Sequence, residues 1–132
     1  LRHAQGILVV YDINRRETFQ NVNKWLQRVR DNAPSGIVLL LVGTKCDDQV
    51  HRSVSRIEAE AFAGKAYLFR SNIFFKSFIV EKNGMLFIET SAINEINVEK
   101  AFHMILAGNI IFIFHIIFTN SFCYRNLLQK AE

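Results

Sequence analysis

Three short apolar runs, each ending abruptly in a polar segment, constrain this chain more than any other feature. Gly6-Ile7-Leu8-Val9-Val10-Tyr11 closes at Asp12. Ile37 to Val42 runs into Gly43-Thr44-Lys45-Cys46-Asp47, and Met85-Leu86-Phe87-Ile88 is followed by Glu89-Thr90-Ser91-Ala92. Continuous rather than alternating apolar residues predict strands buried on both faces, as in a parallel sheet. Helical signals lie between and after them. From Thr18, a predicted N-cap, Phe19, Val22, Trp25, Leu26 and Val29 recur at helical spacing, with Lys24, Gln27, Arg28 and Arg30 filling much of the opposite face. Asn32-Ala33-Pro34-Ser35-Gly36 ends that helix with the only proline of the chain. Ser55-Arg56-Ile57-Glu58 fits a capping box that opens a helix through Ala59 to Ala63. A last helix is predicted from near Asn97, with Val98, Ala101, Phe102 and Ile105 on one face. Strand and helix thus alternate three times, which predicts an α/β fold with three parallel strands and flanking helices. In such sheets ligands sit outside the carboxyl ends of the strands, so the polar segments there are the candidates for function.

Composition narrows the alternatives. Half of the 132 residues are hydrophobic and 21% are charged, which suits one globular domain rather than a disordered chain. The net charge of +4 is modest. Its carriers Arg15, Arg16, Lys24, Arg28, Arg30, Arg52 and Arg56 are scattered without interleaved aromatics, so they read as solvated faces and no nucleic-acid partner is expected. Cys46 and Cys123 have no metal-ligand spacing and no second pair, so the expected setting is an intracellular, cytoplasmic, reducing one without a disulfide framework. His3, His51, His103 and His115 do not cluster at metal-ligand spacing, and no nucleophile, base and orienting acid form a triad. No metal site and no independent catalytic residue is therefore expected. The chain opens at Leu1 without a signal peptide or an initiating Met, and is expected to start inside a longer reading frame.

Two of the polar segments carry chemistry. An aspartate at position 47 can accept two hydrogen bonds, from N1 and N2 of guanine, a pairing that adenine cannot match. The stem of Lys45 can lie over the base while its ammonium stays wet. Ser91-Ala92 can present a backbone N–H to guanine O6. Each match is weak alone; together, at the ends of consecutive parallel strands, they reinforce one another.

The same residues carry a family resemblance. Gly6 to Asp12, Phe19-Gln20-Asn21-Val22-Asn23-Lys24-Trp25-Leu26, Val42 to Asp47, and Glu89-Thr90-Ser91-Ala92 with Asn97-Val98-Glu99-Lys100-Ala101-Phe102 resemble successive segments of Rab-type small GTPases. The resemblance covers most of residues 1–63 and 81–106 and extends to 124–132. It implies a partial Rossmann-like P-loop NTPase fold, binding of GTP or GDP with Mg2+, regulators and effectors of the Rab kind as partners, and action on endomembranes in vesicle transport. Carried over to this chain, it makes Asp47 the guanine discriminator, Lys45 the cover of the base, Thr44 a loop tether, and Ser91 and Ala92 the second wall.

The chain also departs from that family. No segment matches the phosphate loop G-x-x-x-x-G-K-[ST]: the one Gly-Lys pair, Gly64-Lys65, is followed by Ala66. The switch segments are absent too, so the phosphate-binding and hydrolytic half is missing, no Mg2+ ligand is expected here, and hydrolysis by this chain alone is not expected. Thr44 stands where Rab proteins usually carry Asn, and Ile93 where they usually carry Lys. The terminus Gln129-Lys130-Ala131-Glu132 offers no prenylation cysteine. Residues 64–80 and 107–123, rich in Phe and Ile, interrupt otherwise family-like segments and read as insertions, with translated intron sequence as the expected origin. Residues 101–124 contain no Asp, Glu, Lys or Arg, which leaves a membrane-anchored fragment as one alternative function. A non-catalytic fragment that competes for Rab partners through the helix of Trp25 is the other.

Overall fold

In the computed structural model, which describes residues 3–34, 37–64 and 85–108, the three apolar runs are three adjacent strands. These are β1 (Gly6–Asp12), β2 (Val38–Thr44) and β3 (Met85–Glu89), in the order β1-β2-β3 and parallel throughout. Between them run α1 (Arg16–Gln20), α2 (Val22–Asn32) and α3 (Arg56–Ala63), and a fourth helix, α4, follows over residues 98–108. The predicted three-stranded parallel α/β architecture is therefore what forms. The insertions read at 64–80 and 107–123 lie outside the described residues except at Gly64, Ala107 and Gly108. Among the described residues, no helix is long and apolar enough to cross a membrane.

The two faces of the sheet are covered by different elements. Tyr11, Val9, Leu41 and Met85 on one face pack with Phe19, Val22 and Leu26 of α1 and α2 and with Ala59 and Ala63 of α3. Leu40, Val42 and Ile88 on the other meet Ala101 and Ile105 of α4. Central β2 is thus sandwiched, as its unbroken apolar run requires. β1 is not: it has a strand on one side only among the described residues, and Val10 is 52% exposed. The expectation that β1 is buried on both faces fails there because α4 lies over β2 and β3.

Local chemistry explains where the helices start, and corrects two sequence-based expectations. Thr18 is inside α1 rather than its N-cap; the cap residue is Arg15. The Thr18 hydroxyl still ties down the turn, accepting from the Asp12 N–H at 2.9 Å and donating to the Arg15 carbonyl at 2.6 Å. A break at Asn21 then separates α1 from α2. Ser55 does cap α3, accepting from the Glu58 N–H at 3.1 Å. The return half of the capping box is replaced, because the Glu58 carboxylate pairs with the Arg16 guanidinium instead. Trp25 and Phe102 sit at the margins of their apolar stripes and are exposed, and Arg28 covers the Trp25 ring at 4.8 Å.

Among the described residues, two buried side-chain oxygens have no hydrogen-bond partner, Asn14 Oδ1 and the Tyr11 hydroxyl. Tyr11 is 2% exposed and its ring lies 5.0 Å from that of Phe19 at a tilt of 58°, but its hydroxyl makes no hydrogen bond. Burial, and after it the nearby Glu89 carboxylate, push its pKa well above the usual phenol range. A buried hydroxyl without a partner is destabilising by about 1–3 kcal/mol. Tyr11→Phe is therefore expected to stabilise the chain by about 1 kcal/mol, seen as a higher urea midpoint at unchanged slope.

Candidate functional site

The parallel register brings the polar segments side by side. Gly43 pairs with Glu89 at the carboxyl ends of β2 and β3, so Thr44–Asp47 and Thr90–Ala92 leave the sheet together. Backbone hydrogen bonds extend the pairing past the strands: Thr90 N–H donates to the Gly43 carbonyl at 2.8 Å, and Cys46 N–H to the Thr90 carbonyl at 3.0 Å. The buried Ser91 hydroxyl donates to Asp47 Oδ1, joining the two segments through side chains. Asp47 itself is exposed. A carboxylate has about four lone-pair sites, so one bond from Ser91 leaves Oδ2 and part of Oδ1 for outside donors.

The other predicted residues fall around this contact. Thr44 donates its hydroxyl to the Tyr11 carbonyl at 3.0 Å, which ties the start of the loop to β1. Lys45 adopts a left-handed backbone, with φ of 64°, and its ammonium pairs with Asp12 Oδ2 at 2.6 Å. The stem is thus held between its own backbone and the end of β1. Ser91 N–H donates to the Ile96 carbonyl at 3.0 Å, closing a short bridge. Within the Ser91-Ala92 pair, the N–H left for an outside carbonyl is that of Ala92. Ile93 is exposed.

Asp12 was not singled out from the sequence, and it has a measurable signature. Burial raises its pKa, but hydrogen bonds from the Lys45 ammonium and the Asn14 N–H, with the charges of Lys45 and Arg15, outweigh that and hold it low. A depressed carboxylate contributes stability that is fully present above the ~3.9 of a free aspartate and is lost as pH falls through its folded value. The stability gap between the parent chain and Asp12→Asn is therefore expected to shrink between pH 6 and pH 3. Urea midpoints of both chains at the two pH values check this, and an equal gap at both would show that the Asp12–Lys45 pair does not stabilise the fold.

Arg52 and Glu89 also escaped the sequence reading. By its sequence Arg52 reads as a solvated basic residue, yet it is only 18% exposed and forks onto Glu89, itself 10% exposed. Its Nη1 donates to Oε1 at 2.6 Å and its Nη2 to Oε2 at 2.9 Å. No local pattern could have shown this pair, since the partners are 37 residues apart.

Comparison with known proteins agrees with the parallel α/β fold. The model of the Ras family matches residues 1–111. This chain belongs to the Ras family. Within that family it is of the Rab type: it is 41% identical over 116 residues to the Ras-related protein Rab2BV of Beta vulgaris, covering 88% of this chain and 44% of that protein. It is 42% identical over 106 residues to RABA2a of Arabidopsis thaliana, covering 80% of this chain and 41% of the relative. To YPTC6 of Chlamydomonas reinhardtii it is 42% identical over 116 residues, covering 88% and 44%. The Ras-family chain thus spans less than half the length of these relatives.

Proposed function

We propose that this chain carries the base-recognition part of a guanine-nucleotide site and belongs to a Rab-type switch acting in vesicle transport. One observation carries the proposal: the Asp47–Ser91 contact, which assembles two loops at the carboxyl ends of adjacent parallel strands. The residues present fit a guanine base. Asp47 supplies acceptors for N1 and N2, Lys45 a stem over the ring, Thr44 a tether, and Ala92, beside Ser91, an N–H for O6. Phosphate and Mg2+ find no such fit, because no G-x-x-x-x-G-K-[ST] segment is present, and hydrolysis is not assigned to this chain.

Titration of the chain with fluorescent GDP, against an adenine analogue, tests the proposal. Guanine-selective binding is expected, and Asp47→Ala is expected to weaken it by about tenfold or more, as loss of hydrogen bonds to a charged acceptor implies. A folded chain that binds neither nucleotide overturns the base-recognition function. Partner capture through α2 would then take its place, motivated by the half-exposed Trp25 under the Arg28 guanidinium. Rab regulators and effectors are the partner class for that function, and Trp25→Ala the variant that should abolish capture.

A further inference from the structure

The Arg52–Glu89 fork lies where it can do more than stabilise. Arg52 sits on the loop that leaves β2 after Asp47, and Glu89 ends β3 two residues before Ser91. The fork therefore ties the loop bearing the carboxylate to the strand end bearing its hydroxyl partner. Further bonds stiffen both sides. Arg52 Nε donates to Gln49 Oε1 at 3.0 Å, Gln49 in turn donates to the Cys46 carbonyl at 2.5 Å, and Arg52 Nη1 also reaches the Val54 carbonyl at 3.0 Å. On the other side, Asn97 Nδ2 donates to the Glu89 carbonyl at 2.9 Å, which closes the turn after Ser91. Arg52 thus holds Glu89, adjacent to the Thr90-Ser91 segment, directly, and Cys46, adjacent to Asp47, through the Gln49 side chain.

We propose that Arg52 is a positioning residue for guanine discrimination: its fork to Glu89 sets how Asp47 faces the N1 and N2 donors of the base. This rests on the guanine-binding function proposed above. A two-pronged guanidinium fixes angle as well as distance, whereas an ammonium supplies charge without the fork. Lysine at position 52 should therefore retain much of the stability while losing the alignment.

Guanosine and inosine provide the readout, since inosine lacks only the exocyclic N2 amine. Protein-observed NMR titrations of the full 132-residue chain would give both affinities for the parent, Arg52→Lys and Glu89→Gln. Partial unfolding weakens both ligands equally, so their ratio reports alignment and not stability. The parent is expected to favour guanosine by about tenfold, the worth of one charge-assisted hydrogen bond. Both variants are expected to drop that ratio below about threefold while still binding both nucleosides. Variant ratios equal to the parent's, with both affinities falling in parallel, would overturn the positioning role and leave the guanine site standing. A parent chain that does not distinguish the two nucleosides would overturn the guanine site, and the positioning role with it. Arg52→Lys alone decides if Glu89→Gln proves too unstable to titrate, because it retains a cation beside the carboxylate.

Discussion

Arg52→Ala is expected to destabilise the chain by about 3–5 kcal/mol, the usual consequence of removing one member of a buried ion pair. Glu89 is 10% exposed, and both of its oxygens are engaged by Arg52 alone among the described residues. Without the guanidinium its carboxylate stays between the end of β3 and the 46–54 loop, out of water and without a counter-charge. Two further bonds go with it, to the Gln49 side chain and the Val54 carbonyl. A small domain holds only about 5–15 kcal/mol in total, so a loss of this size decides whether the chain folds at all. Urea unfolding, followed by the fluorescence of Trp25, measures it. The double variant Arg52→Met with Glu89→Gln should be more stable than Arg52→Met alone, since a neutral amide does not need the cation. A double variant no more stable than the single one would mean that packing of the arginine stem, not the charge, carries the loss.

Gly43→Ala is expected to cost about 1–3 kcal/mol, the range seen when a packed interior must take an extra methyl group. A Cβ at Gly43 would lie 2.7 Å from the Tyr11 hydroxyl, 2.9 Å from Tyr11 Cζ and 3.1 Å from Ile13 Cγ2. Neither neighbour can swing away: Tyr11 is 2% exposed and Ile13 wholly buried. The left-handed backbone found at Gly64 is not the reason for glycine here, because Gly43 has no positive φ. The need is for space between β1 and β2, one residue before the 44–47 loop begins. Tyr11→Phe removes only the nearest of the three contacts, so adding it to Gly43→Ala should recover part of the loss and not all of it. Thermal melts of the four chains give the coupling. Strict additivity would show that the Tyr11 hydroxyl does not set the limit, and would refer the cost to Tyr11 Cζ and Ile13.

The helices show how far local pattern reaches. α3 was legible from a serine and a glutamate three apart followed by apolar residues, and it forms as read, with Ser55 at its N-terminus. The stripe Phe19, Val22, Leu26 and Val29 was legible as well, and all four are buried. Trp25 shares their spacing but not their burial. Spacing states which residues share a side of a helix; how wide a strip the neighbours cover depends on the sheet beneath. The same reason exposes Phe102 on α4 and Val10 on β1, for α4 covers β2 and β3 but leaves this part of β1 bare.

By itself, the sequence determined the three strands, the polar segments that close them, and the position of Thr44, Lys45, Asp47, Ser91 and Ala92 at the carboxyl ends of adjacent strands. It could do so because an apolar run and its end are local, and because parallel strands with helical crossovers must bring their carboxyl ends to one edge of the sheet. Only the tertiary structure decided which side chains meet there. Asp47 finds Ser91 at a separation of 44 residues, and Glu89 finds Arg52 at 37. Lys45 finds Asp12 across the β1–β2 pair, and the Ser91 N–H turns to Ile96, leaving Ala92 to face outward. Those pairings depend on strand order, register and the path of each loop over its neighbour, and no stretch of sequence a few residues long contains that information.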